Sequence, residues 1–258
     1  MKNTHLFVID PQNDFTEENG ALYVPGANPD MTRLSSFIRK NLNRFGEIHC
    51  SLDSHQSIHI AHPIFWLNLK NEHPAPFTII TREDVQSGTW KPFHSDLQEY
   101  VQRYMDVVQI ITIWPPHCII GSWGHMISSL VSNAFIEWEI TQLSKVNYIM
   151  KGMNYLTEQY SAVKAVVENS EDISTHLNTQ LIEILSTADE ILIAGEALSH
   201  CVNYTVVDIA DNIGEENIKK LVLLTDVSSN VLGCEKMGQE FLEKMVARGM
   251  RFSNTIEW

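Results

Sequence analysis

The chain reads as an α/β protein: one domain spanning residues 1–258, with a mostly parallel six-stranded sheet and helices on both faces. Three observations predict this. Short apolar runs recur along the chain and end in polar residues, the pattern of strands buried on both faces. Stretches with apolar residues at helical spacing separate several of these runs, as in chains of strand–helix units. No internal repeat, low-complexity tract or linker interrupts the series.

The first run, "THLFVID" (4–10), is continuous and closes on Asp10. In "MTRLSSFIRKNLNRF" (31–45), Leu34, Phe37, Ile38 and Leu42 repeat at helical spacing, and Gly46 follows as a stop signal. "EIHCSLDS" (47–54) reads as the second strand and "DVVQIITIW" (106–114) as the third. "VNYIMKG" (146–152), "EILIAG" (190–195) and "KLVLLTD" (220–226) supply the fourth, fifth and sixth. Helical patterns are expected over 158–168, 176–187, 200–211 and 235–247. The stretch 63–105, rich in Pro, His and aromatic residues, fits the alternation poorly. A long aperiodic segment in a compact domain is usually a functional loop, lid or small subdomain, so an insertion over one end of the sheet is expected.

Composition narrows the function classes. Of the 258 residues, 44% are hydrophobic and 19% charged, as in a soluble globular protein. No run approaches the eighteen or so apolar residues of a membrane span. The opening residues lack a secretory h-region, because Asp10 and Pro11 interrupt it, so a cytoplasmic location is the default expectation. A net charge of −14 argues against a nucleic-acid backbone or an anionic membrane as partner. Cys50, Cys118, Cys201 and Cys234 form no CxxC pair, which reads as reduced thiols.

Open parallel sheets bind ligands outside the carboxyl ends of their strands. There the sequence places Asp10, then Asp53 and His55, then Trp114 with "PPHC", then Lys151, and finally Cys201 where a strand hands over to a helix. A helix start offers unpaired N–H groups that favour a thiolate and can hold an oxyanion. A nucleophilic thiol needs a base, which a buried carboxylate such as Asp10 can provide, with Lys151 balancing the charge. His200 adjoins Cys201, but neighbouring helical side chains diverge by roughly 100°, so it is not expected to be the partner. Asp53 and His55 point to one face of an extended strand, and His117 comes from a proline-fixed turn. One carboxylate and two imidazoles could hold a metal with positions left open for substrate. His59 and His62 lie close enough in sequence for either to add a ligand or a supporting bond.

Together these stretches resemble the nicotinamidases of the isochorismatase-like cysteine hydrolases. "FVIDPQNDF" resembles that family's opening strand, matching at Asp10 and Phe15. "SLDSHQSIHIAH" is similar to its D-x-H metal segment and "WPPHC" to its third-ligand segment. "MKGMNYLTEQYSA" resembles the segment of the catalytic lysine, and "GEALSHCVNYTVVDIAD" that of the nucleophile. The five motifs follow the family's order from residue 4 to about residue 226.

The resemblance implies hydrolysis of nicotinamide to nicotinate and ammonia through a thioester on Cys201, with Asp10 and Lys151 as the other catalytic residues. It implies an oxyanion hole from the N–H groups of Ala197 and Cys201, a cis Glu196–Ala197 bond, and aromatic walls from Phe15 and Trp114. It also implies one divalent metal at Asp53, His55 and His117, zinc first, with iron and manganese also compatible, and assembly as a homo-oligomer. Three features depart from the pattern: Glu at 196 for an apolar or small residue, Ser54 for an aromatic one, and a longer 63–113 segment. An inward carboxylate at 196 would oppose an oxyanion, so Glu196 is expected to point away. A relative acting on another small amide, a ureido compound or isochorismate is the alternative, opposed by the metal set and Cys201. A catalytically silent scaffold has no use for Asp10, Lys151 and Cys201 together.

Overall fold

A computed structural model of the chain describes residues 3–258. Its main elements in chain order are β1 (Thr4–Ile9), α1 (Ala27–Lys40), β2 (Phe45–Asp53), α2 (Gln98–Val108), α3 (Ser129–Gln142), β3 (Asn147–Lys151), α4 (Thr179–Ser186), β4 (Glu190–Gly195), α5 (Asn203–Asn212), β5 (Leu221–Leu224), α6 (Glu235–Ala247) and β6 (Arg251–Ser253). The six strands form one sheet in the order β6-β5-β4-β1-β2-β3, and every pairing is parallel. Apolar residues of β1 alternate between two cores. Phe7 and Ile9 join α4, α5 and α6 on one face, while Leu6 and Val8 join α1 and α3 on the other.

Strand order decides where a site can form. From β1 the chain builds outward through β2 and β3, then returns to the other side of β1 to lay down β4. The loops leaving β1 and β4 therefore part in opposite directions and open a crevice at their carboxyl ends. Gly195 makes the close approach there possible. It pairs with Ile9 at a φ of 113°, and a Cβ on it would lie 2.0 Å from the Ile9 carbonyl oxygen.

Two expected elements differ, and two observed ones were not expected. The run 106–114 does not join the main sheet. Its first residues complete α2, which buries Val101, Tyr104 and Met105 at helical spacing, and Gln109 then turns the chain at a φ of 66°. Only Ile110–Thr112 is strand, paired antiparallel with Ile79–Thr81 in a separate two-stranded sheet. The sixth place in the main sheet goes to β6, a three-residue edge strand whose "RFS" carries no apolar run. The stretch 158–168 is irregular, not helical. Hydroxyls capture its backbone: Thr157 Oγ1 donates to the Val167 carbonyl at 2.8 Å, and the Ala162 and Val163 amides donate to Thr205 and Ser161. The helix α3 has no single apolar stripe to betray it, since Val131, Phe135 and Trp138 are buried while Ile136 and Ile140 are exposed.

The 63–113 insertion is a small subdomain. Phe65, Trp66, Ile80, Val101, Tyr104, Met105 and Ile113 pack into a core of their own. Its helix Arg82–Gln86 starts with a full capping box between Thr81 and Asp84. Both ends of the segment are tied together, because the Trp114 amide donates to the Ala61 carbonyl at 2.7 Å. Among the described residues no helix is long and apolar enough to cross a membrane.

Candidate active site

Lys151 is the hub of the crevice. It ends β3 in register with Asp53 of β2, while Asp10 follows β1. Its Nζ lies 2.9 Å from Asp10 Oδ2 and 2.9 Å from Asp53 Oδ1, and donates to Cys201 Sγ at 3.6 Å and to the Gln159 carbonyl at 3.2 Å. All three charged groups are buried. Burial opposes charge on the lysine, yet Asp10, Asp53 and Cys201 hold it well above its ordinary range, so it stays a cation. Burial likewise opposes charge on Asp53, but His55 and Lys151, with hydrogen bonds from His117 and His55, hold it well below the carboxylate range. Asp10 goes the other way: burial raises it and the Lys151 charge only partly offsets this. Ser51 Oγ donates to Asp10 Oδ1 at 2.6 Å, whereas Oδ2 makes an ionic contact with the lysine and no aligned hydrogen bond. A partly basic, uncommitted oxygen beside a thiol is what proton abstraction requires.

Cys201 sits in a single π-turn, Leu198–Val202, that precedes α5. Burial pushes its thiol well above the ordinary range, with Lys151 pulling down and Asp10 pushing up. The sequence expectation of a lowered thiol is thus corrected: burial outweighs the helix start, and the resting group is a protonated thiol. The Glu196–Ala197 bond is cis. The His200 and Val202 amides both donate to the Ala197 carbonyl, at 2.9 and 3.2 Å. His200 turns from the thiol to Ser199, Nδ1 to Oγ 2.9 Å, as expected from the divergence of neighbours.

On the other side of Asp53 stands a nest of histidines. Asp53 Oδ2 lies 2.9 Å from His55 Nε2 and 3.2 Å from His117 Nε2. Each ring is oriented from behind, His55 Nδ1 by the Gly152 carbonyl at 3.2 Å and His117 Nδ1 by the Pro115 carbonyl at 2.8 Å. That arrangement fixes the tautomer and aims Nε2 as a ligand. His62 adds a third ring: ligand atoms of His55, His62 and His117 lie within 4.8 Å of one another, and both His62 nitrogens are buried, with the Ser57 backbone nearby but no aligned hydrogen bond. Burial, then His117 and His55, lower His62 to about 3, so it presents a lone pair. His59 is spent otherwise, with Nε2 on the Thr157 carbonyl and Nδ1 accepting from the Ala61 amide. A carboxylate with three neutral-capable imidazoles, one of them orphaned, fits a transition-metal ion. Gly152 makes room for the set, since a Cβ there would come 2.8 Å from Asp53 Oδ1 and 2.9 Å from the His55 ring.

Between thiol and histidines lies a small cavity walled by Phe15, Trp114, Tyr160, His117, Ala197 and Cys201. The Trp114 indole N–H donates to the Tyr160 hydroxyl at 3.0 Å. Every residue singled out in the sequence therefore reaches one crevice: Asp10, Lys151, Cys201 and Ala197 on one side, Asp53, His55 and His117 on the other, Phe15 and Trp114 as walls. Several contributors escaped the sequence reading. Gln12 pins Asp53 through its amide, donating to the Asp53 carbonyl and accepting from the Asp53 N–H, both at 2.7 Å. Asp14 accepts from the Cys118 amide at 2.6 Å and so holds the turn that carries His117. Ser51 was detectable in principle, lying two residues before Asp53 on the same strand face. Glu158 and Tyr160 belong to the irregular segment 158–168, where the expected helical spacing gave no sign that they would line the cavity.

No family model matches the chain. It is 27% identical over 208 residues to the nicotinamidase of Saccharomyces cerevisiae, covering 80% of this chain and 81% of that one. The yeast nicotinamidase structure bound to the inhibitor nicotinaldehyde superposes with a TM-score of 0.69 at 20% identity, over 97% of this chain and 99% of that one. The fold is that of the nicotinamidases. The pyrazinamidase of Pyrococcus horikoshii, solved in complex with zinc, has a TM-score of 0.59 at 18% identity, over 98% and 99% of the two chains.

Proposed function

We propose that the protein is a nicotinamidase, an amide hydrolase that converts nicotinamide to nicotinate and ammonia through a cysteine thioester. The observation that carries the reading is the Asp10–Lys151–Cys201 cluster at one wall of a small aromatic cavity whose other wall is Asp53, His55 and His117. Asp10 Oδ2 takes the Cys201 thiol proton and becomes neutral, and Lys151 keeps the resulting thiolate tolerable in a buried site. The thiolate adds to the amide carbonyl, and the N–H groups of Ala197 and Cys201 hold the oxyanion. As the C–N bond breaks, the Asp10 proton passes to the leaving ammonia and the acyl group remains on sulfur. Asp10 then takes a proton from water as the water attacks the thioester, and returns it to the thiolate as nicotinate departs. Phe15 and Trp114 sandwich the ring and exclude bulk water.

Asp53, His55 and His117, with His62 as a fourth donor, would hold one divalent metal, zinc before iron or manganese. When bound, that ion supplies a Lewis-acidic anchor for the pyridine nitrogen. Residues 1–258 act as one isochorismatase-like cysteine hydrolase domain, in the cytoplasm, where the four free thiols stay reduced. The assembly proposed is a homo-oligomer.

Ammonia release from nicotinamide by purified protein tests the reading. Turnover should fall on chelation and return with one of zinc, iron or manganese. No turnover with any metal, from folded protein, would refute it.

A further inference from the structure

One residue of the nucleophile segment departs from the family pattern, and its surroundings give that departure a purpose. Glu196 is fully buried and turned away from the cavity, into the space between α1 and residues 227–231. Those residues run beside the 195–199 loop as a ladder. The Gly195 amide donates to the Val227 carbonyl at 3.0 Å, and the Leu198 amide to the Ser229 carbonyl at 2.7 Å. The Val231 amide donates to Ser199 Oγ at 3.1 Å. One rung of the ladder is the Glu196 side chain, whose Oε2 accepts from the Ser229 amide at 3.0 Å.

Its other oxygen, Oε1, is buried with no partner, and the neighbour within hydrogen-bonding reach is the carboxyl group of Asp30. Two buried carboxylates cannot face one another unless a proton lies between them. Its owner follows from the remaining partners. Asp30 is buried but well supplied, with Arg33 paired to one oxygen and Ser229 Oγ donating to the other at 2.6 Å. Arg33 is anchored in turn, its Nε donating to the Asp226 carbonyl at 2.6 Å. Glu196 has a single neutral amide. The negative charge therefore belongs to Asp30 and the proton to Glu196.

We infer that Glu196 is carried as a neutral carboxylic acid whose proton bridges to Asp30, and that this bridge is a positioning device for the adjoining Ala197 amide. Burial and the Asp30 charge push the Glu196 carboxyl well above its usual range, with the Ser229 amide and Arg33 opposing. The ionisable groups facing it are Asp30 and Arg33 of α1; residues 227–231 and β1 present none to it. A neutral acid donates to Asp30 and accepts from Ser229 at once, so it ties the loop to α1 as well as to the 227–231 segment. It also keeps a second negative charge away from the neighbouring oxyanion. Glu196 touches no reacting atom and acts through Ala197, so this inference rests on Ala197 serving as an oxyanion donor.

Infrared difference spectra of wild type and Glu196→Gln at neutral pH, joined to steady-state ammonia release, test it. The wild type should show a protonated-carboxyl band that Glu196→Gln lacks. Glu196→Ala should lower kcat by about tenfold or more at near-constant KM, because it loosens an oxyanion donor without touching the substrate. Glu196→Gln should restore most of that loss, since a carboxamide donates to Asp30 and accepts from Ser229 just as the neutral acid does. A missing band, or Glu196→Gln as slow as Glu196→Ala, overturns the inference. If Glu196→Ala does not fold, the spectra of wild type and Glu196→Gln decide alone. The band needs no substrate, so failure of nicotinamide turnover is distinguishable from failure of the bridge.

Discussion

Replacing Lys151 by Met keeps most of the side-chain volume and removes the cation that Asp10 and Asp53 share. Each ionic contact at 2.9 Å carries on the order of 6 kcal/mol of gross attraction at an effective dielectric of about 20. Most of that offsets the desolvation of the buried charges, and orphaning one partner of a buried pair costs about 3–5 kcal/mol in practice. Against a total stability of about 5–15 kcal/mol for a domain, such a loss is large. Proton uptake by Asp10 would limit the damage to the fold, because burial already raises that carboxyl. It would not rescue the chemistry, since a protonated Asp10 cannot take the thiol proton, and loss of general-base catalysis costs about 10²–10⁴-fold. Urea denaturation of Lys151→Met, with Lys151→Arg as a charge-retaining control, reads the first effect, and ammonia release from nicotinamide reads the second. A loss below about 1 kcal/mol, together with turnover close to wild type, would refute the coupling of Lys151 to both carboxylates.

Further outcomes follow from the same geometry. Cys201→Ala should fold with an unchanged urea midpoint and show no turnover; an active variant would sink the thioester route. His62→Ala should weaken metal affinity by about 10–100-fold in competition titrations, whereas His59→Ala should disturb stability more than affinity because both His59 nitrogens are bonded within the fold. Burial and the neighbouring His5 lower His49 from 6.5 to about 3, so the folded chain holds it neutral while the unfolded chain protonates it near its ordinary value. The stability from that difference is complete above about pH 6.5 and is lost as pH falls toward 3, at up to about 1.4 kcal/mol per pH unit. Urea midpoints measured from pH 7.5 down to 4.5 should show this slope, and His49→Leu should flatten it. Gly152→Ala should impair metal binding and turnover together, because the added methyl meets Asp53 and His55 at a φ of 75°.

Much of this site was legible in the sequence because strand ends are. Asp10, Asp53 and Lys151 each close an apolar run, and a parallel sheet gathers such ends at one edge whatever the details of its loops. Phe15, Trp114 and His117 lie close behind fixed turns, so their placement followed from the motifs. The missed parts depend on partners remote in sequence. Both His59 and His62 pack against the other rings, and which keeps its nitrogens available is decided by the Thr157 carbonyl, 98 residues from His59. The thiol of Cys201 looked like a helix-start thiolate until its burial was visible. The run 106–114 has the composition of a strand, but the helical spacing of Val101, Tyr104 and Met105 carries through its first residues. The edge strand β6 offers three residues and no apolar pattern, too little signal for any local rule.

The insertion leaves and rejoins the sheet domain at neighbouring points. The His55 amide donates to the Cys118 carbonyl at 3.0 Å, the Ile120 amide returns to the His55 carbonyl at 3.0 Å, and Trp114 is tied to Ala61. Everything between these clasps packs largely on itself. Lengthening or rebuilding such a closed excursion leaves the separation of its ends unchanged and adds only slowly growing loop entropy. Phe77, Ile79 and Ile111 of the insertion line a groove that shares Trp114 and Tyr160 with the cavity, so this approach can drift in sequence and size over generations while the proton-transfer machinery stays fixed, and the breadth of acceptable amides becomes a trait that selection can tune by itself.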